Sequence, residues 1–466
     1  MNSGASESWV ELAWSEREEG YGFITQRVEK YHWEAAVSFA EVGLSKRRLK
    51  GVPAQFPSES FIAEAVDKIV LGAKEPKQDQ NGQKPERKIP PCPEPASALK
   101  QTAVSVTISI DALNYLEHDF VYKGYLQALI SGENSVGRQV YAILTDATLC
   151  HKSNVENVAL QTVENYVAQS EADQLPLMFV LPGFPFKDQN PFNTNAVPPW
   201  HVDGGEVALL LRLHLLALAL RQVYPFGCEF IVLSDGPLYA ALFDVPRESA
   251  LRYVGRLRQF RNYLNLQRSV HLLDLEEACH LLPEYNKMVG EVTKRIEKLQ
   301  TNTKIAQAIK RLTISMVRNL GYPSATEKQL ASVWGLMHGE SPVDEFEHQM
   351  LERARKCAIR YLGINVTISW LGVYKAVFPF ATRCTVHPKP DQIAIPMCDS
   401  LPWNGCPVWD GKEFKVCRYH ELPRSAVAAH PDAWEHPFTF ELEQKEKFNP
   451  SSKAPVAVDP LAAGSV

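Results

Sequence analysis

The stretch from Leu175 to Gly236 constrains the fold more than any other part of the chain. Two short apolar runs, Leu177–Leu181 and Phe230–Leu233, stand on either side of a long apolar segment. Runs of four to eight residues are typical of buried strands, and the longer segment between them is typical of a helix. A strand, a helix and a second strand in this order predict a β-α-β unit with two parallel strands.

The helix predicted inside this unit has a distinct start. Asp203 and Glu206 stand three residues apart just before an apolar run, which is the spacing of a capping box. The run Val207–Leu220 is interrupted by Arg212 and His214, and with about 14 residues it is shorter than a membrane span. We therefore expect a helix buried on the sheet and no contact with a membrane.

The rest of the chain divides into parts of different composition. Residues 1–73 contain helical patterns such as Ser60–Leu71 and predict an N-terminal helical lobe. Residues 74–102 are rich in Pro, Lys, Gln and Glu, which predicts a flexible linker or an exposed insertion. Residues 103–443 form the predicted main domain, and residues 444–466 a disordered tail.

Strand and helix patterns alternate along the predicted main domain. Further strands are predicted at Val104–Ile110, Arg138–Leu144, Val270–Leu273, Val377–Val386 and Gln392–Met397, the last two around a turn, and a hairpin at Val408–Val416. Helices are predicted at Tyr115–Ile130, Asn154–Gln169, Glu248–Leu266, Glu284–Leu320 and Val343–Tyr361. The predicted fold is α/β, with a Rossmann-like, mostly parallel sheet flanked by helices, a helical N-terminal lobe and a β-hairpin-rich C-terminal part.

Charge and composition argue against several kinds of partner. The formal net charge is -5 and 22% of the residues are charged, so the balance does not favour nucleic acid or an anionic membrane. The first residues lack the basic and apolar regions of a signal peptide. We therefore expect a cytoplasmic protein that binds no nucleic acid.

The cysteines and the standard motifs also narrow the function. Nine cysteines are scattered without a Cys-x-x-Cys pair, and the grouping of Cys398, Cys406, Cys417 and His420 matches no zinc spacing, so no metal is expected. The sequence has no P-loop, no Gly-x-Gly-x-x-Gly after a strand, no Gly-x-Ser-x-Gly and no His-Glu-x-x-His. These absences argue against a P-loop enzyme, a standard dinucleotide binder, that class of serine hydrolase and a zincin.

Polar residues follow both strands of the predicted unit. Lys187 ends the loop after the first strand and Asp235 follows the second, at the sheet edge where open α/β folds bind ligands. Lys187 suits a phosphate or carboxylate, and Asp235 suits a base or a partner for an amine or a sugar hydroxyl. The alternative is that Asp235 forms a turn and that Lys187 is a surface lysine.

Two further groups of residues suit a ligand. Asp203 and Glu206 are explained by capping alone, but at the helix N-terminus they would also suit a substrate amine or hydroxyl. Arg383, Thr385 and His387 alternate along a predicted strand and should share one face, which suits an anionic ligand beside an acid–base group. A lone Arg or His in a hairpin is more often structural.

Four motifs lie in a recognisable order. They are Leu181–Lys187 (LPGFPFK), Asp203–Glu206 (DGGE) opening a leucine-rich helix, Ile231–Gly236 (IVLSDG) and Arg383–Pro388 (RCTVHP). In order and approximate spacing, over about residues 155–400, they resemble the pyoverdine/dityrosine biosynthesis family, which includes the isocyanide (isonitrile) synthases. Each motif alone is weakly specific, but four in order are hard to obtain by chance. Thr385 stands where the family usually has Ser.

The resemblance implies a reaction and a set of roles. Isocyanide synthases of this family join the amino group of an amino acid to ribulose 5-phosphate, and fragmentation leaves the ketone carbon as the isocyanide carbon. That scheme needs no metal or redox cofactor, and a separate iron(II) oxygenase acting downstream is the implied protein partner. The implied catalytic residues are Lys187, Glu206, Asp235 and His387, and the implied substrate-binding residues are Phe184, Phe186, Asp203, Ser234, Arg383 and Thr385.

Two other functions stay open at this point. One is a catalytically idle relative that binds a metabolite or a partner. The other is an unrelated sugar-phosphate transferase built on the same sheet architecture. The sequence does not indicate which amino acid an isocyanide synthase of this kind would use.

Overall fold

The structure is a computed structural model of the chain. It describes residues 56–70, 121–147, 149–150, 158–194, 197–282, 284–322, 325–338, 340–386, 393–395, 401–409, 414–421, 427–428 and 440–441. The predicted strand Val104–Ile110, the predicted linker and the predicted C-terminal tail lie outside these residues. Those three expectations therefore stay predictions.

A parallel sheet forms the central layer. Within the described residues it has five strands in the order β3-β2-β1-β4-β5, namely β1 Leu177–Gly183, β2 Cys228–Ser234, β3 Val270–Asp274, β4 Thr382–Thr385 and β5 Ile393–Ala394. All four pairings are parallel, and the register places Gly183 of β1 beside Ser234 of β2. The predicted α/β fold with a mostly parallel sheet is confirmed.

Helices cover both faces of this sheet. In chain order the described ones are α1 Glu59–Val70, α2 Val121–Ile130, α3 Val136–Thr145, α4 Leu160–Ala172, α5 Pro191–Thr194, α6 Gly204–Val223, α7 Gly236–Tyr239, α8 Arg247–Tyr263, α9 Leu275–His280, α10 Tyr285–Lys298, α11 Thr303–Asn319, α12 Glu327–Met337, α13 Glu345–Leu371 and α14 Val373–Val377. No helix in this described part of the chain is long and apolar enough to cross a membrane.

The strands divide the apolar side chains between two cores. Met178 and Val180 point to a core packed by α1, α10, α11 and α13, whereas Phe179 and Leu181 point to a core packed by α3, α4, α6 and α8. This alternation follows from the two-residue period of a strand. Because both faces are covered, β1 and β2 are apolar along nearly their whole length, as parallel strands usually are.

The start of α6 agrees with the sequence. The backbone N–H of Asp203 donates to Oε2 of Glu206 at 3.0 Å, and Oδ1 of Asp203 accepts from the backbone N–H of Gly205 at 2.8 Å. The predicted capping box is confirmed. It fixes both acidic side chains at the buried end of the helix that follows β1.

The predicted strand Arg138–Leu144 is wrong, because these residues belong to α3. The hydroxyl of Ser135 accepts a hydrogen bond from the backbone N–H of Arg138 at 3.2 Å and caps the helix. Val140, Ile143 and Leu144 are buried at three- and four-residue spacing, which is a helical pattern. The β-branched and aromatic residues of this short run favoured a strand, but the N-cap and the buried face favour the helix.

The predicted hairpin of Val377–Val386 and Gln392–Met397 is also wrong. Val377 ends α14, and β4 pairs with β5 in parallel, with Cys384 beside Ile393. The later hairpin prediction is confirmed by antiparallel pairing in a second sheet. In the described residues that sheet has the order β7-β6-β9-β8, with β6 Cys406–Trp409, β7 Phe414–Cys417, β8 Val427–Ala428 and β9 Phe440–Glu441.

The strand order creates a crevice at the carboxyl edge of the sheet. β2 and β3 lie on one side of β1 and β4 lies on the other, so the connections diverge between β1 and β4. Divergence of this kind marks the ligand-binding edge of open α/β sheets. The loops after β1 and β2 touch there, because Oγ of Ser234 donates to the carbonyl of Phe184 at 2.7 Å.

Candidate active site

Lys187 lies in a buried cluster of ionisable side chains. Its Nζ donates to Oε1 of Glu206 at 3.0 Å and to the carbonyl of Pro402 at 2.7 Å, and it lies 2.5 Å from Oδ2 of Asp203. The side chains of the lysine and both acids are at most 1% exposed. Tyr253 of α8 donates its hydroxyl to Oε1 of Glu206 at 3.1 Å. We refer to Lys187, Asp203, Glu206 and Tyr253 as the lysine cluster.

The pKa shifts in the lysine cluster define its charges. Burial opposes charge on Lys187, but Asp203 and Glu206 outweigh it and raise the pKa of the ammonium. Burial opposes charge on Glu206 as well, and Lys187 outweighs it, so the pKa of Glu206 is lowered. Burial and the neighbouring Glu206 raise the pKa of Asp203 well above its usual value. The two acids that share the buried ammonium therefore have pKa values shifted in opposite directions.

This arrangement differs from the lysine expected at the crevice. The ammonium donates to Glu206 and Pro402 and forms an ion pair with Asp203, so its contacts within the described residues are with these neighbours. The local sequence did not show this, because Pro402 comes from a segment 215 residues away. In this structure Lys187 fastens the loop after β1 to the start of α6.

Asp235 follows β2 and has a different environment. Its Oδ1 is buried and accepts no hydrogen bond from any side chain or backbone group that the structure describes. Burial raises the pKa of Asp235 to about 7, and the charge of Asp274 adds to this shift. Asp274 ends β3, beside Ser234 in the register. A carboxyl group that changes its charge near neutral pH suits proton transfer to and from an amine.

Four tyrosines form a group that we call the tyrosine cluster, and the charge of Asp235 acts on three of them, namely Tyr239, Tyr361 and Tyr374. The fourth member is Tyr285. The rings of Tyr239 and Tyr361 lie 5.2 Å apart, and burial raises the pKa of every member. All four are therefore neutral phenols near pH 7 and can donate hydrogen bonds.

Arg383 reaches the same tyrosines from β4. Its guanidinium lies 4.4 Å from the ring centroid of Tyr374, and its Nε is buried without a hydrogen-bond partner among the described residues. Burial raises the pKa of Tyr361 and Tyr374 to about 12, while Arg383 acts to lower both and Asp235 acts to raise both. Asp235 and Arg383 thus face two shared phenols with opposite charges, which suits a ligand that carries both an ammonium and an anionic group.

The remaining predicted residues have other surroundings. Phe184 is fully buried with its ring 5.0 Å from Trp403, and Phe186 is 5% exposed with its ring 5.8 Å from Phe243. Thr385 is buried in β4. These contacts hold the loop after β1 against the core. His387 lies outside the described residues, so its role stays a prediction.

Several residues at this edge have no local signal in the sequence. Tyr253 comes from α8, and Tyr361 and Tyr374 come from the later consecutive helices α13 and α14, where no motif marks them. Asp274 had a signal, because it follows an apolar strand in the same way as Asp235.

As for metals, no group of three or more His, Cys, Asp or Glu side chains within the described ranges could hold an ion.

The fold and the site define an α/β protein with titratable groups at the carboxyl edge of a parallel sheet, as in many enzymes of this architecture. A profile of the pyoverdine/dityrosine biosynthesis protein family matches residues 167–428, which is more than half of the chain. The chain therefore belongs to this family. The resemblance inferred from the four sequence motifs is confirmed.

Two curated relatives have a named activity. The L-tryptophan isonitrile synthase AmbI1 of Fischerella ambigua (strain UTEX 1903) is 21% identical over 277 residues, which covers 56% of this chain and 77% of that protein. The L-tryptophan isonitrile synthase AmbI2 of the same organism is 23% identical over 271 residues and covers 56% and 76%. The crystal structure of PvcA from Pseudomonas aeruginosa is 18% identical, with a TM-score of 0.49, and covers 66% of this chain and 100% of that one.

Proposed function

We propose that the chain is an isocyanide synthase, a lyase-type enzyme that joins the amino group of an amino acid to ribulose 5-phosphate. The amine condenses with the sugar ketone, and fragmentation leaves the ketone carbon as the terminal carbon of the isocyanide. Membership of the family and the names of the two relatives support this reaction. The observation that carries the proposal is that Oδ1 of Asp235 and Nε of Arg383 are both buried without a hydrogen bond to a described residue, with the guanidinium 4.4 Å from the ring centroid of Tyr374.

In this proposal Asp235 acts on the amine. An amino acid arrives as an ammonium, and the nitrogen must lose protons before it can attack a ketone. A carboxylate with a pKa of about 7, raised by burial, can accept such a proton near neutral pH. Its Oδ1 accepts no hydrogen bond from a described residue and is therefore available to the ligand.

Arg383 binds the carboxylate of the same amino acid in this proposal. A guanidinium presents planar N–H donors that match a carboxylate, and its Nε has no hydrogen-bond partner among the described residues. The tyrosine cluster then packs around the amino acid and directs its phenol hydroxyls at polar atoms of the two substrates. Thr385 and Ser234 support the strand ends that carry Arg383 and Asp235.

The lysine cluster has a supporting role in the proposed reaction. The hydroxyl of Tyr253 binds Glu206, and the charges of Glu206, Asp203 and Asp235 all raise its pKa after burial. Tyr253 thus couples the acids of the lysine cluster electrostatically to Asp235. We propose that this phenol and Glu206 hold and exchange protons close to the reacting amine, and that His387 completes the site from the segment after β4.

A labelling experiment tests the proposal. The full chain is incubated with a mixture of amino acids that includes tryptophan and with ribulose 5-phosphate labelled at the ketone carbon. An isocyanide that carries the label, detected by mass spectrometry and lost in Asp235→Asn, is the expected result. Consumption of neither substrate would favour a catalytically idle binding protein, and a product without an isocyanide would favour another transferase.

A further inference from the structure

The proposed reaction brings two anionic groups to one site. One is the carboxylate of the amino acid and the other is the phosphate of the sugar. Arg383 supplies one cation, but the ammonium of Lys187 is buried between the carboxyl groups of Asp203 and Glu206. A second cation near the tyrosine cluster is therefore needed to bind the phosphate.

Arg360 is a second cation next to the tyrosine cluster. It precedes Tyr361 on α13, and its charge acts to lower the pKa of Tyr285, which burial raises. The side chain is exposed and makes no ion pair with an acid in the described part of the chain. It is a neighbour of the buried site that stays available to a ligand from solvent.

A surface groove with a volume of 690 Å³ contains Arg360. Its lining also includes Asp244, Gln349, Glu352, Arg353 and Lys356. One wall is the segment Ala241–Asp244, which follows α7 and therefore Asp235, and the other wall is α13. The groove thus runs alongside the elements that carry Asp235 and Tyr361, and its volume lies in the range of small-ligand sites, roughly 300–1,000 Å³.

The lining suits a phosphorylated sugar better than a simple anion. Arg353 is paired with Asp244, and Lys356 lies 3.9 Å from Glu352, so these residues place acids and cations side by side. Carboxylates and the amide of Gln349 can accept hydrogen bonds from sugar hydroxyls. Arg360, without an acid partner among the described residues, remains for the phosphate.

We propose that this groove binds the phosphorylated sugar, with Arg360 and Lys356 holding the phosphate and the ketone directed toward the tyrosine cluster and Asp235. The assignment rests on the proposed function, because that function supplies the sugar phosphate. It gives the two substrates separate cations, with Arg383 for the amino acid and Arg360 for the sugar.

Substitutions in the full chain test this assignment in two ways. Arg360→Gln removes the charge, Arg360→Lys keeps it, and Lys310→Gln removes an exposed charge from α11 as a matched control. The first measurement is the KM for ribulose 5-phosphate and, separately, for the amino acid. The second is the binding of inorganic phosphate by titration calorimetry, which needs no turnover.

The expected result is selective. Arg360→Gln raises the KM for the sugar phosphate about 10- to 100-fold, the range for loss of a charge-assisted hydrogen bond, and leaves the KM for the amino acid within about twofold. It also abolishes phosphate binding, while Arg360→Lys restores part of both and Lys310→Gln changes neither. An unchanged KM for the sugar phosphate, or phosphate binding equal to that of the unsubstituted chain, would overturn the assignment.

The two proposals fail in distinguishable ways. If the chain makes no isocyanide but binds inorganic phosphate in a manner that depends on Arg360, the anion site stands and the reaction is wrong. If isocyanide forms and Arg360→Gln is silent in both measurements, the reaction stands and the groove is wrong. Absence of phosphate binding to the unsubstituted chain at millimolar concentration would also overturn the groove as a phosphate site.

Discussion

Nζ of Lys187 lies 3.0 Å from Oε1 and 3.1 Å from Oε2 of Glu206, and both side chains are fully buried. Each charge stabilises the other, because neither side chain is solvated by water. Removal of one member leaves the other buried without a counter-charge, whereas removal of both is tolerated much better. The pair therefore contributes to the fold as well as to the proposed site.

Lys187→Met should lower the free energy of unfolding by about 3–5 kcal/mol, because Glu206 is left buried and unpaired. The double substitution Lys187→Met with Glu206→Gln should recover part of that loss. Urea unfolding followed by fluorescence measures both values. The matched control is Lys294→Met, which breaks an ion pair with Glu291 at 3.1 Å between side chains 67% and 41% exposed. It should change stability by less than about 1 kcal/mol, and equal effects at both sites would contradict the buried pair.

Tyr253→Phe should cost more than Tyr224→Phe, although both tyrosines are at most 1% exposed and pack in the same core. Tyr253 donates to a carboxylate, and loss of such a bond costs about 1.5–3 kcal/mol. Tyr224 donates to the backbone carbonyl of Leu175 at 2.7 Å, and loss of that neutral bond costs about 0.5–1.5 kcal/mol. Equal losses in chemical unfolding would show that Glu206 is not ionised.

Asp235→Asn should abolish the proposed turnover and yet stabilise the protein at alkaline pH. The pKa of Asp235 is raised by burial to about 7 in the folded chain, above the value of about 3.9 in the unfolded chain. Between these values the folded state binds the extra proton, so the contribution of Asp235 to stability falls as pH rises toward 7 and is constant above it. Asp235→Asn has no such group to titrate, so its stability lacks this decrease with pH.

Unfolding at pH about 5 and about 8 measures the effect of Asp235→Asn. The difference in stability between variant and unsubstituted chain should grow by on the order of 2–3 kcal/mol between the two pH values. A difference that does not depend on pH would mean that Asp235 has an ordinary pKa. In that case its role as a base near neutral pH would be lost as well.

Gly236→Ala should disrupt the edge of the sheet, whereas Gly255→Ala should not. A Cβ at Gly236 would lie 1.6 Å from the carbonyl oxygen of Pro185, so the loops after β1 and β2 would be forced apart. A Cβ at Gly255, within α8, meets no atom within 4 Å, and alanine should stabilise that helix by about 0.5–1 kcal/mol. Thermal unfolding of both variants checks the opposite signs. A mild effect at Gly236 would show that the two loops are not in contact.

Arg383→Gln should raise the KM for the amino acid about 10- to 100-fold and leave the KM for ribulose 5-phosphate nearly unchanged. This is the reverse of the pattern expected for Arg360→Gln. The control is Arg138→Gln, which removes a half-exposed arginine on α3. If Arg383→Gln affected only the sugar phosphate, Arg383 would bind the phosphate and the proposed orientation of the substrates would be inverted.

Local features of the sequence predicted the skeleton of the site. Three features depend only on neighbours a few residues away. They are the apolar runs of β1 and β2, the capping box of Asp203 and Glu206, and the position of Asp235 after a buried strand. Such patterns are set by the periods of strands and helices and by the hydrogen bonds of helix ends. The same reasoning failed at Arg138–Leu144, where a short apolar run fits either period.

The environment of each charged residue depended on distant parts of the chain. The sequence predicted Lys187 as a cation at a crevice, but Pro402 and Tyr253 bring it into a buried cluster with two acids. Asp235 received its raised pKa from burial and from Asp274 of β3, and Arg383 lies over Tyr374 because α14 packs beside β4. None of these contacts has a local pattern, because burial and partner choice arise only when separate elements pack.

By itself, the sequence determined the α/β class, the unit around β1 and β2, and which edge of the sheet carries polar groups. These features follow from hydrophobic periodicity, which depends only on residues close together in the sequence. Only the tertiary structure decided that Lys187 is enclosed by Asp203 and Glu206 while Asp235 and Arg383 share two tyrosines. The reason is physical: the free energy of a charge depends on its solvation and on counter-charges within a few ångströms, and packing of distant segments sets both.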